Sequence, residues 1–109
     1  MVTADMQTGT SVLSTEGIQG VSLLAVPGAE LVEIILEEGA FIGKHSMPMD
    51  VVFYVKKGAC TITVGDDTQL IPSGTAVLSP AGIPKSIGHA EGIPAEVLVI
   101  KVLQHTGGK

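Results

Sequence analysis

Residues 39–58 read GAFIGKHSMPMDVVFYVKKG, and this stretch decides the fold of the 109-residue chain. Its second half contains Val51–Val55, an apolar run of β-branched and aromatic residues that ends shortly before Gly58. Such a run, bounded by turn-forming residues, is typical of a buried β-strand. Because neighbouring side chains on a strand point to opposite faces, Phe53 and Tyr54 are expected on opposite sides of the sheet.

The same pattern of short apolar runs separated by turn-forming residues continues on both sides of this stretch. Short apolar runs alternate with Gly, Pro, Asp and Ser turn signals at spacings of about 8–12 residues, which is typical of a sandwich or barrel. In Ala29–Glu38 the apolar residues alternate with Glu33 and Glu37, which favours a strand over a helix. Gly65-Asp66 is a strong hairpin signal. The sequence therefore predicts an all-β, closed or nearly closed barrel. The other predicted strands are Val21–Val26, Leu31–Leu36, Cys60–Val64, Gln69–Ile71, Thr75–Leu78 and Ala95–Leu103.

The two ends of the chain lack this alternation. Residues 1–20 are rich in Thr, Ser, Gly and Gln, and they predict a flexible N-terminal arm with at most a short strand at Ser11–Leu13. The barrel domain is expected over residues 21–105, and residues 106–109 are expected to form a frayed tail that leaves His105 without a role.

The charge balance argues against a nucleic-acid partner. The chain has 6 basic and 11 acidic residues, a formal net charge of −5, and all its basic residues are lysines. Contacts to phosphate dominate nucleic-acid affinity, and arginine is the usual reader of guanine edges. An acidic chain without arginine is therefore expected to bind neither DNA nor RNA.

Composition also bounds the compartment. No apolar run approaches the roughly 18 residues that a membrane helix needs, so no membrane association is expected. The N-terminus lacks a basic stretch followed by an apolar one, which favours a cytoplasmic location. The single cysteine, Cys60, lies in a core-like strand and is expected to be buried and inert.

The opening stretch resembles the first motif of the cupin family, G-x5-H-x-H-x3-4-E-x6-G, with Gly39, His45 and Gly58 in register. The second cupin motif, G-x5-P-x-G-x2-H-x3-N, resembles the region of Pro80 and Gly82. The resemblance covers about residues 21–103, most of the chain. It implies a cupin jelly-roll β-barrel of six or more strands and a homodimer.

The resemblance also identifies four positions that hold the metal ion in metal-binding cupins. Here they carry His45, Met47, Val51 and Lys85, and the final Asn position of the second motif carries His89. Valine offers no donor atom, and a lysine ammonium opposes a cation. We therefore expect the usual divalent metal centre to be lost and no cofactor to be bound.

A transition metal ion remains the second possibility. The alternating His45, Met47 and Met49 form a borderline and soft donor set that suits Cu(I), although Pro48 interrupts a regular strand there. The alternative interpretation is that the two methionines fill gaps in a pocket wall.

Family register points His45 and Lys85 into the barrel among apolar side chains. His45 can act as an acid or base near neutral pH, and a desolvated Lys85 can act as a base or hold an anion. His89 shares the face of Lys85 if its strand is regular, and is exposed if the chain bends at Gly88. The predicted pocket residues are His45, Met47, Val51, Phe53, Lys85, Ile87 and His89.

A buried lysine needs a partner for its charge. Glu33, Glu37 and Asp50 are the candidate carboxylates for Lys85, and the sequence does not choose among them. The resulting hypothesis is a small-molecule-binding cupin without the usual metal, with Lys85 suited to a carboxylate on the ligand. A metal-free isomerase or lyase, a metal-dependent cupin enzyme of dioxygenase or isomerase type with substituted ligands, and a purely structural protein are the alternatives.

Overall fold

A computed structural model describes residues 1–88 and 94–103 of the chain, which form ten β-strands and no helix. No helix able to cross a membrane is therefore found in these two ranges. In chain order the strands are β1 (Thr10–Thr15), β2 (Ile18–Val26), β3 (Ala29–Leu36), β4 (Phe41–His45), β5 (Asp50–Lys57), β6 (Ala59–Val64), β7 (Asp67–Pro72), β8 (Ala76–Ser79), β9 (Lys85–Gly88) and β10 (Ala95–Val102).

The strands form two antiparallel sheets that face each other as a jelly-roll barrel. The larger sheet has the order β1-β2-β3-β10-β5-β8, and the smaller has the order β4-β9-β6-β7. Because sequence neighbours such as β4 and β5 lie in different sheets, the chain crosses repeatedly between them and closes the barrel. The predicted all-β barrel is confirmed.

The core lies between the two sheets and is built by alternation along each strand. In β5, Val51, Phe53 and Val55 are buried. The intervening Val52 is only partly buried, and Tyr54 is exposed on the outer face. This confirms the prediction that Tyr54 and the adjacent Phe53 point to opposite sides of the sheet. The smaller sheet adds its own inward-facing residues to this core. The buried cluster comprises Val32, Ile34, Leu36, Val51, Phe53, Val55, Cys60, Ile62, Ile71, Ile87, Ala95, Val97 and Val99.

Two of the predicted turns depend on glycine. Gly58, the last glycine of the opening stretch, has φ 74°, and a Cβ there would lie 3.2 Å from Cα of Ala95. Gly65 has φ 62° at the first position of the two-residue loop between β6 and β7, the geometry that a primed hairpin turn requires. A side chain at either position would strain the backbone.

The N-terminal arm is shorter than the sequence predicts. Strand β1 pairs with β2, so the sheet begins at Thr10 rather than at residue 21. The predicted short strand at Ser11–Leu13 is the centre of β1. Its alternation is hidden because β1 is a largely exposed edge strand, with a register shift between Ser11 and Leu13. The predicted tail at residues 106–109 lies outside the described residues, as do His89 and His105.

Candidate functional site

One end of the space between the sheets contains a cavity of about 220 Å³. Most of its wall is apolar, and it is lined from both sheets. The structure brings six of the seven predicted pocket residues together around it; the seventh, His89, lies outside the described residues. The six are His45, Met47, Val51, Phe53, Lys85 and Ile87.

Lys85 is the unusual side chain of this cavity. It begins β9, where it lies opposite His45 of β4 and Val64 of β6. Only 1% of Lys85 is exposed, and its Nζ has no hydrogen-bond partner among the described residues. Burial lowers the pKa of its ammonium group below the ordinary 10.5, because a charge in an apolar surrounding loses its hydration.

The three carboxylates considered for Lys85 have other surroundings, so the prediction that one of them is its partner is wrong. Glu33 accepts hydrogen bonds from Nζ of Lys56 at 3.0 and 3.2 Å. Glu37 is exposed after the end of β3. One oxygen of Asp50 accepts the backbone N–H of Ala81 at 2.8 Å. The physical reason is clearest for Glu33, which alternates to the outer face of β3, away from the cavity.

His45 also lines this cavity. It ends β4 after a register shift between Ile42 and His45, and its side chain is exposed. Its Nδ1 lies 3.0 Å from the carbonyl oxygen of Gly43. Since a carbonyl only accepts, this contact assigns the proton of a neutral ring to Nδ1 and leaves Nε2 free to accept.

A second lysine lines the cavity, but its charge is compensated. Nζ of Lys101 in β10 lies 3.6 Å from Oε1 of Glu30 in β3. The other oxygen of Glu30 accepts a 2.7 Å hydrogen bond from Oγ of Ser22. Lys101 is therefore a partnered cation, in contrast to Lys85.

Solved structures with the same architecture identify the fold. An RmlC-like cupin from Shewanella frigidimarina aligns over 94% of this chain and 91% of its own, with a TM-score of 0.79 and 14% identity. A protein described as a predicted oxalate decarboxylase from Thermotoga maritima aligns over 95% of this chain and 100% of its own, with a TM-score of 0.83 and 17% identity. The protein has the cupin fold.

The resemblance to cupins in the two sequence motifs is thus matched in three dimensions. The polyketide cyclase RemF from Streptomyces resistomycificus also superposes, over 97% of this chain and 82% of its own, with a TM-score of 0.80 and 16% identity. No family model matches the sequence, and the comparison with curated proteins finds no match. At these identities the similarity establishes the fold alone, and the activities named for the similar proteins differ.

The four positions that the motif resemblance assigns to a metal ion carry side chains that form a poor donor set for a divalent cation. Around the cavity they supply an imidazole from His45, a thioether from Met47, an aliphatic group from Val51 and the amine of Lys85. In residues 1–88 and 94–103, no three His, Cys, Asp or Glu side chains cluster as a metal group would require. An ammonium form of Lys85 would also repel the ion.

The predicted alternating set of His45, Met47 and Met49 does not lie on one regular strand, as Pro48 in this segment indicated. Met47 and Met49 both lie between β4 and β5 rather than on a strand. Met47 lines the cavity, and its carbonyl oxygen accepts the N–H of Gly82 at 2.8 Å. Met49 packs, partly buried, against the hydrophobic core. The regular strand face that would align them with His45 is absent from this segment.

Part of the cavity wall comes from the segment expected to be an arm. Val12 and Leu13 of β1 and Gly20 of β2 all line the cavity. The register shift in β1 lets the consecutive Val12 and Leu13 both reach it. The two adjacent apolar residues in a Thr/Ser-rich segment are the signal that sequence reasoning passed over. Other lining residues that it missed are Val32, Ile34, Ser86, Val99 and Lys101.

Cys60 lies in the core, away from this chemistry. Its thiol is free and buried, and burial raises its pKa from 9.0 to about 11. The thiolate is the reactive form of cysteine, and the raised pKa disfavours it at neutral pH. The predicted burial of Cys60 is confirmed.

Proposed function

We propose that this cupin barrel binds a small, mostly apolar molecule with one carboxylate, and that Lys85 anchors the carboxylate without a metal ion. The observation that carries the proposal is the amine of Lys85, which is almost fully buried in the cavity wall without a partner among the described residues. A buried cationic group is costly when it is alone. An anionic ligand would supply the missing partner.

The rest of the cavity supports an apolar body for this ligand. Val51, Phe53 and Ile87 are buried in its wall. The volume of about 220 Å³ is smaller than most sites for drug-sized molecules, which begin near 300 Å³. A short aliphatic acid is therefore a better match than a larger, polar metabolite.

The test compares the binding of hexanoate and of hexanol, with both affinities measured by calorimetry or protein NMR. Hexanoate is expected to bind more tightly than hexanol to the unmodified protein. In Lys85→Met, affinity for hexanoate should fall about 10- to 100-fold, since hydrogen bonds to charged groups contribute about 1.5–3 kcal/mol. Hexanol binding should persist, because methionine keeps the cavity apolar.

The matched control is Lys57→Met, which removes an exposed lysine on the outer side of the barrel and should leave both affinities unchanged. Hexanoate affinity should fall as pH rises through the lowered pKa of Lys85, because only the ammonium form attracts the carboxylate. Equal hexanoate binding by the unmodified protein and Lys85→Met would contradict the proposal.

A metal-dependent enzyme with substituted ligands is separated from this function by elemental analysis. Untagged protein would be offered Fe(II), Mn(II), Ni(II), Zn(II) and Cu(I) in turn. One equivalent of metal that disappears in His45→Ala would overturn the metal-free proposal. Copper alone, lost in Met47→Leu as well, would instead favour the soft-donor set.

We also propose that the protein is a homodimer, with the second copy covering the outer face of the larger sheet. This face carries apolar side chains, including the exposed Leu78 and Tyr54. Its charges come in pairs, such as Glu33 with Lys56, so two acidic chains can meet here without repulsion. Sedimentation should give a dimer, and Leu78→Glu should give a monomer; a monomeric unmodified protein would refute the proposal.

A further inference from the structure

The amine of Lys85 has a second chemical use besides holding an anion. Among the described residues, no carboxylate lies close enough to keep a proton on it. Burial lowers the pKa of the group, so a larger share of it is neutral than for a lysine in water. A neutral amine has a free lone pair and is a nucleophile, which an ammonium group is not.

We propose that Lys85 forms a covalent imine with a small aliphatic aldehyde bound in the cavity. The inference rests on the proposed binding cavity, but it uses the neutral amine where carboxylate binding uses the ammonium. The aldehyde chain would lie against the same apolar wall, which includes Val51 and Phe53. The carbonyl carbon would then lie at the buried end, beside Nζ.

The step is balanced without any further reagent. The lone pair of Nζ attacks the carbonyl carbon, and a proton moves from nitrogen to oxygen to give a carbinolamine. The hydroxyl group then leaves as water after it takes up a proton, while nitrogen loses its remaining proton and forms the C=N bond. The products are the imine and one molecule of water. An apolar cavity favours this direction because it disfavours the return of water.

The imidazole of His45 is the group that would transfer a proton during the loss of water. It lies opposite Lys85 in the β4–β9 pair and lines the same cavity. Its Nδ1 is held by the carbonyl of Gly43, so Nε2 is the nitrogen that exchanges a proton with the carbinolamine. Its exposure lets it recover that proton from solvent.

The other lysines on the barrel provide an internal comparison. Lys56 donates to Glu33 and Lys101 pairs with Glu30, so each of these amines already contacts a carboxylate. Lys44 and Lys57 are exposed to water. Imine formation should therefore be selective for Lys85 at neutral pH.

The experiment is reductive trapping. The full protein is incubated with limiting hexanal and cyanoborohydride at neutral pH, and the products are mapped by peptide mass spectrometry. The adduct adds the mass of hexanal minus one oxygen atom, as a secondary amine. We expect several-fold more adduct at Lys85 than at Lys57, because the cavity would hold hexanal beside the Lys85 amine and burial lowers the pKa of that amine. Lys57→Met should leave the Lys85 adduct unchanged, and hexanol should compete with it.

The outcomes separate this inference from the proposed function. Adduct at Lys85 that hexanol suppresses supports the imine, and the mapping needs no variant. Saturable hexanol and hexanoate binding with adduct only on exposed lysines would overturn the imine and leave the binding function intact. Absence of binding and of a Lys85 adduct would overturn both.

Discussion

Glu33 and Lys85 are both buried side chains that carry a charge in water, and they lie on opposite sides of the barrel wall. Glu33 lies on the outer face of β3, with a side chain that is 5% exposed, and Lys56 from β5 donates to both its oxygens. Lys85 lies on the inner side of β9, and its Nζ contacts no polar partner among the described residues. Glu33 thus has a charged partner within the protein, and Lys85 has none among the described residues.

This difference distinguishes a structural charge from one that is available to a ligand. Glu33 and Lys56 are hydrogen-bonded to each other, so this pair needs no ligand to compensate its charges. Lys85 has no such partner among the described residues, so its burial is expected to destabilise the ligand-free protein. Under the proposed function, an anionic ligand supplies the partner that Lys85 lacks, and under the further inference a carbonyl compound reacts with its amine.

The largest effect is expected from Lys56→Met, which makes the outer charge resemble the inner one. The carboxylate of Glu33 would be left buried without its cation, so the free energy of unfolding should fall by about 3 kcal/mol. Chemical denaturation measures this change. Lys57→Met is the control, since its ion pair with Glu96 is long, at 4.0 Å, and exposed, and it should cost under about 1 kcal/mol. Equal losses in both variants would remove the contrast between Glu33 and Lys85.

The same substitution at the inner lysine should have the opposite sign. Lys85→Met replaces an unpartnered amine by an apolar group of similar length, so the free energy of unfolding should rise by about 2 kcal/mol in the ligand-free protein. The melting temperature should rise with it. A destabilised Lys85→Met would mean that the amine has a partner, and the comparison would fail.

The pH dependence of stability should isolate the same amine. Burial lowers the folded-state pKa of Lys85 below 10.5, so between these two values the unfolded chain holds more protons and stability rises with pH. Below the folded pKa both states hold the proton and the dependence ends. The stability deficit of the unmodified protein relative to Lys85→Met should therefore shrink as the solution becomes alkaline. The raised pKa of Cys60 makes stability fall with pH, but this contribution is the same in both proteins and cancels in their difference. A deficit that stays constant with pH would contradict the lowered pKa of Lys85.

The smallest effect is expected at the cavity wall formed by β1. In Gly20→Ala, the new Cβ would lie 3.0 Å from Cβ of Leu13, so β1 must shift outward at a cost of about 1 kcal/mol. Hexanol affinity should change with it. Gly28→Ala is the control, because a Cβ there meets no atom within 4 Å. If Gly20→Ala changes neither stability nor affinity, β1 is not a packed wall of the cavity.

Much of the cavity lining could be predicted, because the residues that resemble the cupin motifs follow one another in order along the chain. Gly39, His45 and Gly58 set the register of the opening stretch, and that register placed Phe53 and Lys85 on the inner side. The contribution of β1 could not be predicted, because an exposed edge strand with a bulge shows no alternation of polar and apolar residues.

The sequence also could not predict which residue pairs with each buried charged group. Glu33 and Lys85 are far apart in the chain, and nothing local decides which face of its sheet each one occupies. The pairing of Glu33 with Lys56 follows from β3 and β5 lying on either side of β10. From the sequence, Glu33 was a candidate partner for Lys85. In the folded protein, the order of the strands places Glu33 beside Lys56 instead.

The sequence by itself determined most of the strands, the glycine turns and the residue types at the positions that resemble the cupin motifs, because these depend on residue type and on spacing along a single segment. Only the tertiary structure decided that Lys85 has no partner among the described residues, that β1 closes the cavity and that Lys101 is neutralised by Glu30. These features depend on which distant strands become neighbours and which face each side chain takes. Such pairings are set by the packing of two sheets together, and no short stretch of chain encodes them.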